Sequence, residues 1–438
     1  MEQQTIHTET IYAPSSAIGG AIVVIRVSGD ASKAIAKRIL SRNVTNHPNE
    51  LTYTRIRFEG KAIDDCMAVY FAAPHSYTGE DMLELHCHGG MQTVREVLAC
   101  LEKTGAKPAM GGDFTKRAFL NGKMDLAQAE AVMDVINATA ETSLRAALHQ
   151  LHGKVSECIH AVEERLLDSR SAIEAAIDYP DEAEDDFYAS LPQSLAEAER
   201  TMQKLLTEGR KQRVLRDGVR LVILGRPNVG KSSLLNLILG EDRAIVTSVA
   251  GTTRDILDER VSIRGVPVRL MDTAGIRTAG DEAESIGIER AKAAVLHADL
   301  LLLVLDGSEP LTEEDERLLK ETEGRVRIVV SNKSDLGVQS RADLSISCKS
   351  GEGLEPLLDR IVELAAPTAQ EEVFLTNERH LSALERALLS VQHAKEAREI
   401  DCIATDLREA LHQLGTITGT DVDGEVIDRI FQNFCVGK

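Results

Sequence analysis

The sequence predicts a multidomain α/β plus α protein: an α/β domain with a mostly parallel sheet is inserted into an all-helical domain, and an α+β domain precedes both. Three observations support this fold class. A glycine-rich segment lies between an apolar run and a helical pattern in residues 219–239. Apolar residues on both sides of this region recur at helical spacing, and residues 1–122 mix short β-rich runs with helical patterns. The predicted segments are 1–122, 123–217, 218–368 and 369–438.

Composition excludes several classes of protein. The 438 residues suit about three domains, and the 43% of hydrophobic residues suffice for sizeable cores. Seven cysteines are scattered without paired spacing, so no disulfide framework is expected. A formal net charge of −20 argues against nonspecific coating of nucleic acid. With no leader sequence and no apolar run of membrane length, we expect a cytoplasmic protein with no membrane contact.

The elements follow in order along the chain. In the first segment, β-rich runs occupy residues 21–27, 66–71 and 82–86, and helical patterns occupy residues 31–40 and 93–104. The next segment carries an apolar stripe at helical spacing, an acidic interruption at 178–186, and a further helix at about 194–208; the stripe residues are Leu144, Leu148, Leu151, Val155 and Ile159. Residues 376–438 are helical again. Because neither helical segment supplies a partner for its own stripe, we expect the two to pack together.

The glycine-rich segment is a phosphate-binding loop. Gly225-Arg-Pro-Asn-Val-Gly-Lys-Ser232 follows the apolar run 219–224 and precedes a helix, which is the context this motif requires. Its glycines allow backbone N–H groups to surround the phosphates, and Lys231 reaches the β and γ oxygens. The hydroxyl of Ser232 is positioned to ligate Mg²⁺.

Two further segments match the switches of a nucleotide hydrolase. Gly251-Thr-Thr-Arg-Asp255 lies in a polar stretch, and Thr253 is the candidate Mg²⁺ ligand there. Asp272-Thr-Ala-Gly275 ends an apolar run, which places a carboxylate near the metal and a glycine amide near the γ-phosphate.

The base is predicted to be guanine. Asn332-Lys-Ser-Asp335 ends an apolar run, and the carboxylate of Asp335 is suited to accept two hydrogen bonds from the guanine N1–H and exocyclic amine. Ser347-Cys-Lys349 adds backbone contacts to the base. The predicted GTP-binding residues are Asn228, Val229, Gly230, Lys231, Ser232, Ser233, Thr247, Ser248, Val249, Ala250, Gly251, Thr252, Thr253, Asp272, Thr273, Ala274, Gly275, Asn332, Lys333, Asp335, Ser347, Cys348 and Lys349.

Several residues have two interpretations from sequence alone. Ile276 stands where many small GTPases carry a water-orienting glutamine, and the carboxylates of residues 281–284 are either a solvated acidic turn or a substitute for it. Asn228 is either a turn residue or the ligand of a monovalent cation.

Outside the nucleotide motifs, the basic groups around 210–220 and 116–123 are either solvated helix faces or RNA contacts. His86 and His88 share a strand face. Because the sequence shows no second pair of metal ligands at a familiar spacing nearby, we do not expect a metal site there. Residues 435–438 resemble a prenylation signal only superficially.

Beyond these motifs, the chain resembles the MnmE family, also called TrmE, over essentially its whole length. The resemblance rests on the inserted GTPase domain and on Arg26-Val-Ser-Gly29, Phe119-Leu-Asn-Gly-Lys-Met-Asp-Leu-Ala-Gln-Ala-Glu-Ala131 and Phe434-Cys-Val-Gly-Lys438. It implies a Ras-like GTPase that works with the flavoprotein MnmG, as a heterotetramer, on C5 of the wobble uridine of tRNA. It also implies a homodimer joined by folate-binding N-terminal domains.

The resemblance assigns further residues. It implies that 5-formyl- or 5,10-methylene-tetrahydrofolate is contacted by Arg26, Glu84, Lys123 and Lys438, and that Glu284 orients the hydrolytic water. It further implies that K⁺ is bound by Asn228, Thr247, Val249 and Thr252. Cys435 matches the family's C-terminal cysteine and is a candidate catalytic residue.

The chain departs from the family pattern at three places. Pro14-Ser-Ser-Ala-Ile-Gly-Gly20 lacks the usual basic residue, Cys348 replaces a more usual alanine, and residues 86–88 also vary. The alternative function is a regulatory GTPase in ribosome assembly, which would share every motif from Gly225 to Lys349. That alternative leaves residues 1–122 and the C-terminal residues 435–438 without a role.

Overall fold

The structure is a computed structural model, and it describes residues 9–178, 185–241, 258–272, 295–296, 298–337, 342–365 and 375–437. The chain packs into two compact units. The first unit comprises the described residues up to Met133 together with those from Gly415 onward, and the second comprises those of Asp134–Leu414. The segment boundaries predicted above therefore stay predictions, and the packing groups the C-terminal residues with the N-terminal unit.

The first unit contains a six-stranded sheet of order β3-β4-β5-β2-β1-β6, which is antiparallel except for the pair β1 and β6. Helices α1 and α2 pack on one face, over a core that includes Ile25, Leu85 and Leu101. The strands are Ile11–Pro14 (β1), Ile22–Ser28 (β2), Thr52–Phe58 (β3), Lys61–Phe71 (β4), Met82–His88 (β5) and Lys107–Pro108 (β6), and the helices are Ser32–Ile39 (α1) and Met91–Lys103 (α2). The predicted α+β fold of this region is confirmed.

Strand β2 shows how the sheet positions a functional side chain. Val23, Ile25 and Val27 are fully buried against the helices, because alternate residues of a strand point to the same face. Arg26 consequently points to the opposite face. That face carries a smaller apolar cluster, which includes Ile11 and Phe114 of helix α3 (Asp113–Leu120).

The C-terminal segment packs on the first unit. Helix α13 (Gly424–Phe431) and Phe434 contribute to an apolar cluster with Leu126, at the start of helix α4 (Leu126–Asn137). A Cβ built on Gly112 would lie 2.5 Å from the carbonyl oxygen of Phe431. Gly112 also has a φ of +78°, so this close approach requires a glycine.

The second unit joins helices from both sides of the nucleotide domain. Helix α7 packs against helix α11, where a Cβ on Gly209 would lie 2.6 Å from Cδ2 of Leu381. Gln392 of α11 donates to Glu199 of α7 at 2.9 Å. The predicted pairing of the two helical segments is confirmed. The helices are Glu141–Leu151 (α5), Lys154–Asp178 (α6), Asp185–Asp217 (α7), Glu378–Glu396 (α11) and Ile400–Thr418 (α12).

Two details of these helices differ from the sequence prediction. The apolar stripe from Leu144 to Ile159 is not on one helix, because α5 ends at Leu151 and Gly153 adopts a φ of +83° before α6 begins. Leu144 is exposed, whereas Val155 and Ile159 are buried. Helix α7 is longer than predicted, since it covers residues on both sides of 194–208.

The nucleotide domain has a six-stranded sheet of order β12-β11-β10-β7-β9-β8, which is parallel except for the antiparallel pair β8 and β9. Alternate residues of the central strands are buried on opposite faces under helices, as expected for a parallel sheet. The elements are Val219–Leu224 (β7), Lys231–Glu241 (α8), Asp258–Ile263 (β8), Val266–Asp272 (β9), Leu300–Asp306 (β10), Glu313–Glu321 (α9), Arg327–Asn332 (β11), Leu344–Ser345 (β12) and Leu354–Ala365 (α10).

Candidate functional site

The phosphate loop connects β7 to α8, at the carboxyl edge of the sheet. Gly225 has a φ of +149°, and a Cβ there would lie 2.4 Å from the carbonyl oxygen of Val304. Gly230 has a φ of +100°, and its Cβ would lie 2.2 Å from Nδ2 of Asn332. Both positions therefore need glycine for conformation and for space. Asn228 also has a positive φ, of 64°, which a non-glycine residue rarely adopts.

The ammonium of Lys231 is held across this loop. It donates to the carbonyl oxygens of Gly225 at 2.9 Å and Arg226 at 2.8 Å, and the residue is buried. Ser232 and Ser233 follow in the first turn of α8 and are exposed. The helix N-terminus thus presents hydroxyl and N–H groups beside a fixed cation, an arrangement that favours phosphate.

Asn332 joins the phosphate loop to the base-recognition segments. Its Nδ2 donates to the carbonyl oxygen of Val229 at 2.8 Å, and its Oδ1 accepts from the backbone N–H of Cys348 at 3.1 Å. The hydroxyl of Ser347 donates to Oδ1 of Asp335 at 2.8 Å, while Asp335 itself is exposed. The structure therefore brings together residues of three predicted motifs, with an oriented carboxylate facing solvent.

Cys348 acts in this site through its backbone. Its N–H makes the bond to Asn332, whereas burial raises the pKa of its thiol to about 11. The side chain stays protonated and makes no charged contact at neutral pH. The backbone contact does not depend on the side chain, so we expect the replacement of the alanine more usual in the family to have a mild effect. Lys349, the next residue, is exposed.

Sequence reasoning missed a buried carboxylate at this edge of the sheet. Asp306 ends β10 and contacts Lys333 at 2.5 Å, between its Oδ2 and the lysine Nζ. Arg226, in the phosphate loop, lies 3.9 Å from the same oxygen and 2.9 Å from Glu309. The signal that could have found Asp306 is its position, since it directly follows the apolar run 300–305.

Other predicted nucleotide residues lie outside the described part of the chain. Asp272 ends β9 beside Ile223 of β7, but its side chain is not described. The residues outside the description are Thr247, Ser248, Val249, Ala250, Gly251, Thr252, Thr253, Thr273, Ala274, Gly275 and Glu284.

A second group of predicted residues meets in the first unit. Arg26 and Glu84 are paired across β2 and β5, and Nε of Arg26 donates to Oε1 of Glu84 at 2.9 Å. The guanidinium lies 5.0 Å from the ring centre of Tyr77 and 5.8 Å from that of Phe114. Its Nη1 donates to the carbonyl oxygen of Gly437 at 3.4 Å. Two predicted folate residues and the C-terminal tail therefore converge.

The remaining predicted folate residues are placed differently. Lys123 is exposed and donates to the carbonyl oxygen of Pro74 at 3.0 Å, on the loop that leads to Tyr77. Lys438 lies outside the described residues. Cys435 is exposed, and its carbonyl accepts from the N–H of Gly112 at 3.3 Å. The backbone of the tail is thus fixed while its thiol faces solvent.

Five of the basic residues considered for RNA contact have acidic partners. Arg216 pairs with Asp134 at 2.9 Å, and Arg117 pairs with Glu80 at 2.9 Å. The other pairs are Arg210 with Glu385, Arg213 with Asp299 and Glu378, and Lys116 with Asp428. Their charges are largely compensated, which favours the interpretation of ordinary helix faces.

The two histidines of β5 differ in their contacts, since His88 is bonded to an acid whereas Nε2 of His86 lies beyond hydrogen-bond distance of one. Nδ1 of His88 lies 2.7 Å from Asp64, and Nε2 of His86 lies 3.6 Å from Glu84. In the described ranges, no group of three or more metal-ligating side chains was found. Likewise, none of the helices placed by the structure has the length and apolarity to cross a membrane.

A cavity of about 250 Å³ lies in the second unit, apart from these motifs. It is lined by residues of α4, α5, α7 and β9, including Ser143, Arg216 and Arg269. None of its lining residues belongs to a nucleotide motif, so the cavity is not the nucleotide site.

The chain is similar to known proteins over its whole length. Residues 126–435 match the model of the MnmE helical domain, and residues 10–123 match that of the GTP-binding protein TrmE N-terminus. The tRNA modification GTPase MnmE of Enterococcus faecalis is 40% identical, with 100% of both chains covered. Those of Streptococcus pneumoniae (40%, 98% of this chain and 99% of the relative) and Lactiplantibacillus plantarum (41%, 99% of both) are similar. The solved G domain of the T. maritima FeoB iron transporter is 28% identical over 34% of this chain and 98% of its own, with a TM-score of 0.27.

Proposed function

The chain belongs to the MnmE family of tRNA modification GTPases, and from this premise we propose that its GTP hydrolysis depends on K⁺ and drives wobble uridine modification. With MnmG as its partner, it adds a carboxymethylaminomethyl or aminomethyl group to C5 of that uridine in tRNA. A one-carbon folate supplies the carbon, and the protein acts as a homodimer in the cytoplasm.

The observation that carries the nucleotide part is the double contact of Asn332. One amide group holds the carbonyl of Val229 in the phosphate loop and the N–H of Cys348 in the base segment. A nucleotide that spans the two segments is therefore bound by a site whose halves are already fixed together, which lowers the entropic cost of binding. The carboxylate of Asp335, held by Ser347, supports guanine as the base.

The chain's own residues account for most of the hydrolytic chemistry. Lys231 exchanges its two carbonyl partners for the β and γ oxygens of GTP, so that a preorganised cation faces the charge that develops during phosphoryl transfer. We assign Glu284 to orienting the attacking water. Its carboxylate accepts a hydrogen bond from that water, a contact that the aliphatic side chain of Ile276 cannot make.

The oxygen-rich residues around the loop fit the two metal ions that we propose. Ser232, exposed at the start of α8, and Thr253 would ligate Mg²⁺. Asn228, Thr247, Val249 and Thr252 would hold K⁺, and all of them offer side-chain or backbone oxygen. When bound, the alkali ion supplies positive charge beside the β and γ phosphates.

The residues around Arg26 fit a folate. Oε1 of Glu84 accepts from Arg26, while Oε2 lies 3.6 Å from Nε2 of His86, a buried atom that has no hydrogen-bond partner. A pterin carries adjacent N–H donors and ring nitrogens, which suit this unmet hydrogen-bonding capacity. The ring of Tyr77 beside Arg26 adds an apolar surface, and the fully buried ring of Phe114 supports the guanidinium from within the unit. Lys123 and Lys438 would then pair with the glutamate carboxylates of the folate.

Nucleoside mass spectrometry of tRNA from a deletion strain tests this function. We expect the deletion to lose the modified wobble uridine and a plasmid with the unsubstituted gene to restore it. Lys231→Ala and Cys435→Ser should fail to restore it, whereas Cys402→Ser, which changes another exposed cysteine, should succeed. Intact wobble uridines together with accumulated ribosome precursors would instead support the ribosome-assembly alternative.

A further inference from the structure

Three segments of the nucleotide domain converge on the carboxylate of Asp306. Its Oδ1 accepts from the backbone N–H of Ser308 at 3.0 Å and from that residue's hydroxyl at 2.6 Å. Its Oδ2 accepts from Nζ of Lys333 at 2.5 Å, and Nη2 of Arg226 lies 3.9 Å away. The side chain is only 5% exposed, so these contacts are poorly screened by water.

The two cations belong to different halves of the nucleotide site. Lys333 lies between Asn332 and Asp335, has a backbone φ of +66°, and places its Nζ on Asp306 at the end of the neighbouring strand. Arg226 is the second residue of the phosphate loop, and its carbonyl oxygen holds the ammonium of Lys231. A single carboxylate therefore faces one residue of the base motif and one residue of the phosphate loop.

The neighbouring carboxylates do not duplicate this role. Glu309 contacts Arg226 but is 59% exposed, so its interaction is weakened by solvent. Asp315 lies 3.3 Å from Nε of Arg226, but it also closes the capping box of α9 with Thr312. Of these three acids, all of them within the described residues, Asp306 is the one that bonds Lys333.

Asp306 is ionised at neutral pH. Burial by itself would raise its pKa, but the bonds from Lys333 and Ser308 hold it below the usual value for an aspartate. Its charge is thus available to fix the lysine, and the close 2.5 Å contact is a charge-assisted bond.

We propose that Asp306 is a positioning residue for nucleotide binding, which holds the stem of Lys333 beside the base site and ties it to Arg226 of the phosphate loop. Asp306 does not touch the nucleotide. Without its charge, Lys333 would sample several rotamers, and each binding event would have to order it again. Immobilising one such side chain costs enough to change affinity by roughly 2- to 10-fold.

The test measures dissociation constants of the full-length protein for a fluorescent GDP analogue. Asp306→Asn keeps the shape of the side chain, and Lys333→Met keeps an apolar stem. We expect each single variant to bind GDP about 5-fold more weakly. The double variant should bind no more weakly than Lys333→Met, because Asp306 acts through that lysine. Glu321→Gln, which removes a charge from an exposed pair on α9, is the control and should bind normally.

Two results would overturn the proposal. One is normal GDP affinity of Asp306→Asn, and the other is a double variant whose loss equals the product of the two single losses. Thermal unfolding of each variant is measured in parallel. If Asp306→Asn does not fold, Ser308→Ala takes its place, because it removes the hydroxyl bond to Oδ1 of Asp306 while the backbone N–H bond and the contact with Lys333 stay in place. We then expect about 2-fold weaker binding, and normal binding by Ser308→Ala would also overturn the proposal.

Discussion

Replacing Gly437 by alanine should detach the C-terminal tail from the N-terminal unit. A Cβ at this position would lie 2.1 Å from the carbonyl oxygen of Pro14, whereas real Cβ atoms essentially never come within 3.0 Å of a neighbour. Pro14 cannot move away, because it is part of β1 and is paired with Ile25 of β2. Gly437 also has a φ of +91°, which costs an alanine about 1–2 kcal/mol.

The strain can be compared with what holds the tail. The polar contacts of the tail are the antiparallel bridge between Gly111 and Val436, which includes the bond from the N–H of Gly112 to the carbonyl of Cys435 at 3.3 Å, and the bond from Arg26 to the carbonyl of Gly437 at 3.4 Å. At about 1 kcal/mol each, they supply roughly 2–3 kcal/mol. Because the clash with a fixed carbonyl adds to the backbone strain, the tail should lift rather than compress. The free energy lost when the tail lifts is then limited to the energy of these contacts.

Amide hydrogen exchange measures this loss directly. A loss of 2–3 kcal/mol corresponds to roughly 30- to 160-fold faster exchange in the peptides that cover Gly112 and the tail. Gly105→Ala is the matched control, since Gly105 has a φ of +94° but no atom within 4 Å of its Cβ position. It should leave exchange at the tail unchanged. Binding of 5-formyl-tetrahydrofolate should weaken in Gly437→Ala, while GTP turnover should not change. If the tail peptides of Gly437→Ala exchange as slowly as those of the unsubstituted protein, the reasoning is refuted.

Three other predictions concern the nucleotide site, and a fourth compares the reactivity of two cysteines. Asp335→Asn should shift preference from guanine to xanthine nucleotides, because the residue then offers a donor as well as an acceptor; a competition assay with unchanged GTP preference would contradict this. GTP turnover should be fast in K⁺ and slow in Na⁺, since we propose that oxygens of Asn228 and of residues 247–252 hold K⁺, and equal rates would exclude this role. Glu284→Ala should abolish turnover but retain GTP affinity, as measured by single-turnover kinetics and nucleotide titration; normal hydrolysis would remove Glu284 from the mechanism. At pH 8, iodoacetamide should alkylate exposed Cys435 well before Cys348, whose raised pKa of about 11 leaves roughly one thiol in a thousand ionised; faster labelling of Cys348 would contradict the burial described here.

The elements of the nucleotide domain were the most predictable part of the fold. The apolar run 219–224 forms β7 over the same residues, and α8 begins at Lys231 within the phosphate loop motif. The spacing of apolar residues was a less reliable guide to where the long helices begin and end. The stripe that includes Leu144 predicts helix but not where one helix ends, and the positive φ of Gly153 separates two helices there. A stripe records which residues are apolar and does not record where the backbone turns.

Contacts between distant residues were not predictable. Arg210 and Glu385 are 175 positions apart, so nothing near either residue indicates that the charge is compensated. The same applies to Asp306, whose two cations come from the phosphate loop and from the base motif. Its place at the end of an apolar strand could have marked it as a site residue but did not, and its partners became clear only from the order of the strands in the sheet.

The sequence by itself determined the nucleotide chemistry of this protein. A phosphate loop needs only consecutive residues, because its glycines, its lysine and the helix that follows are set by local backbone conformation. The tertiary structure decided which distant groups share a site. Arg26 and Gly437 are 411 positions apart and meet because the chain folds its last residues onto its first sheet. Such a contact depends on the packing of whole elements, where burial and close fit select one arrangement among many that the same local patterns would allow.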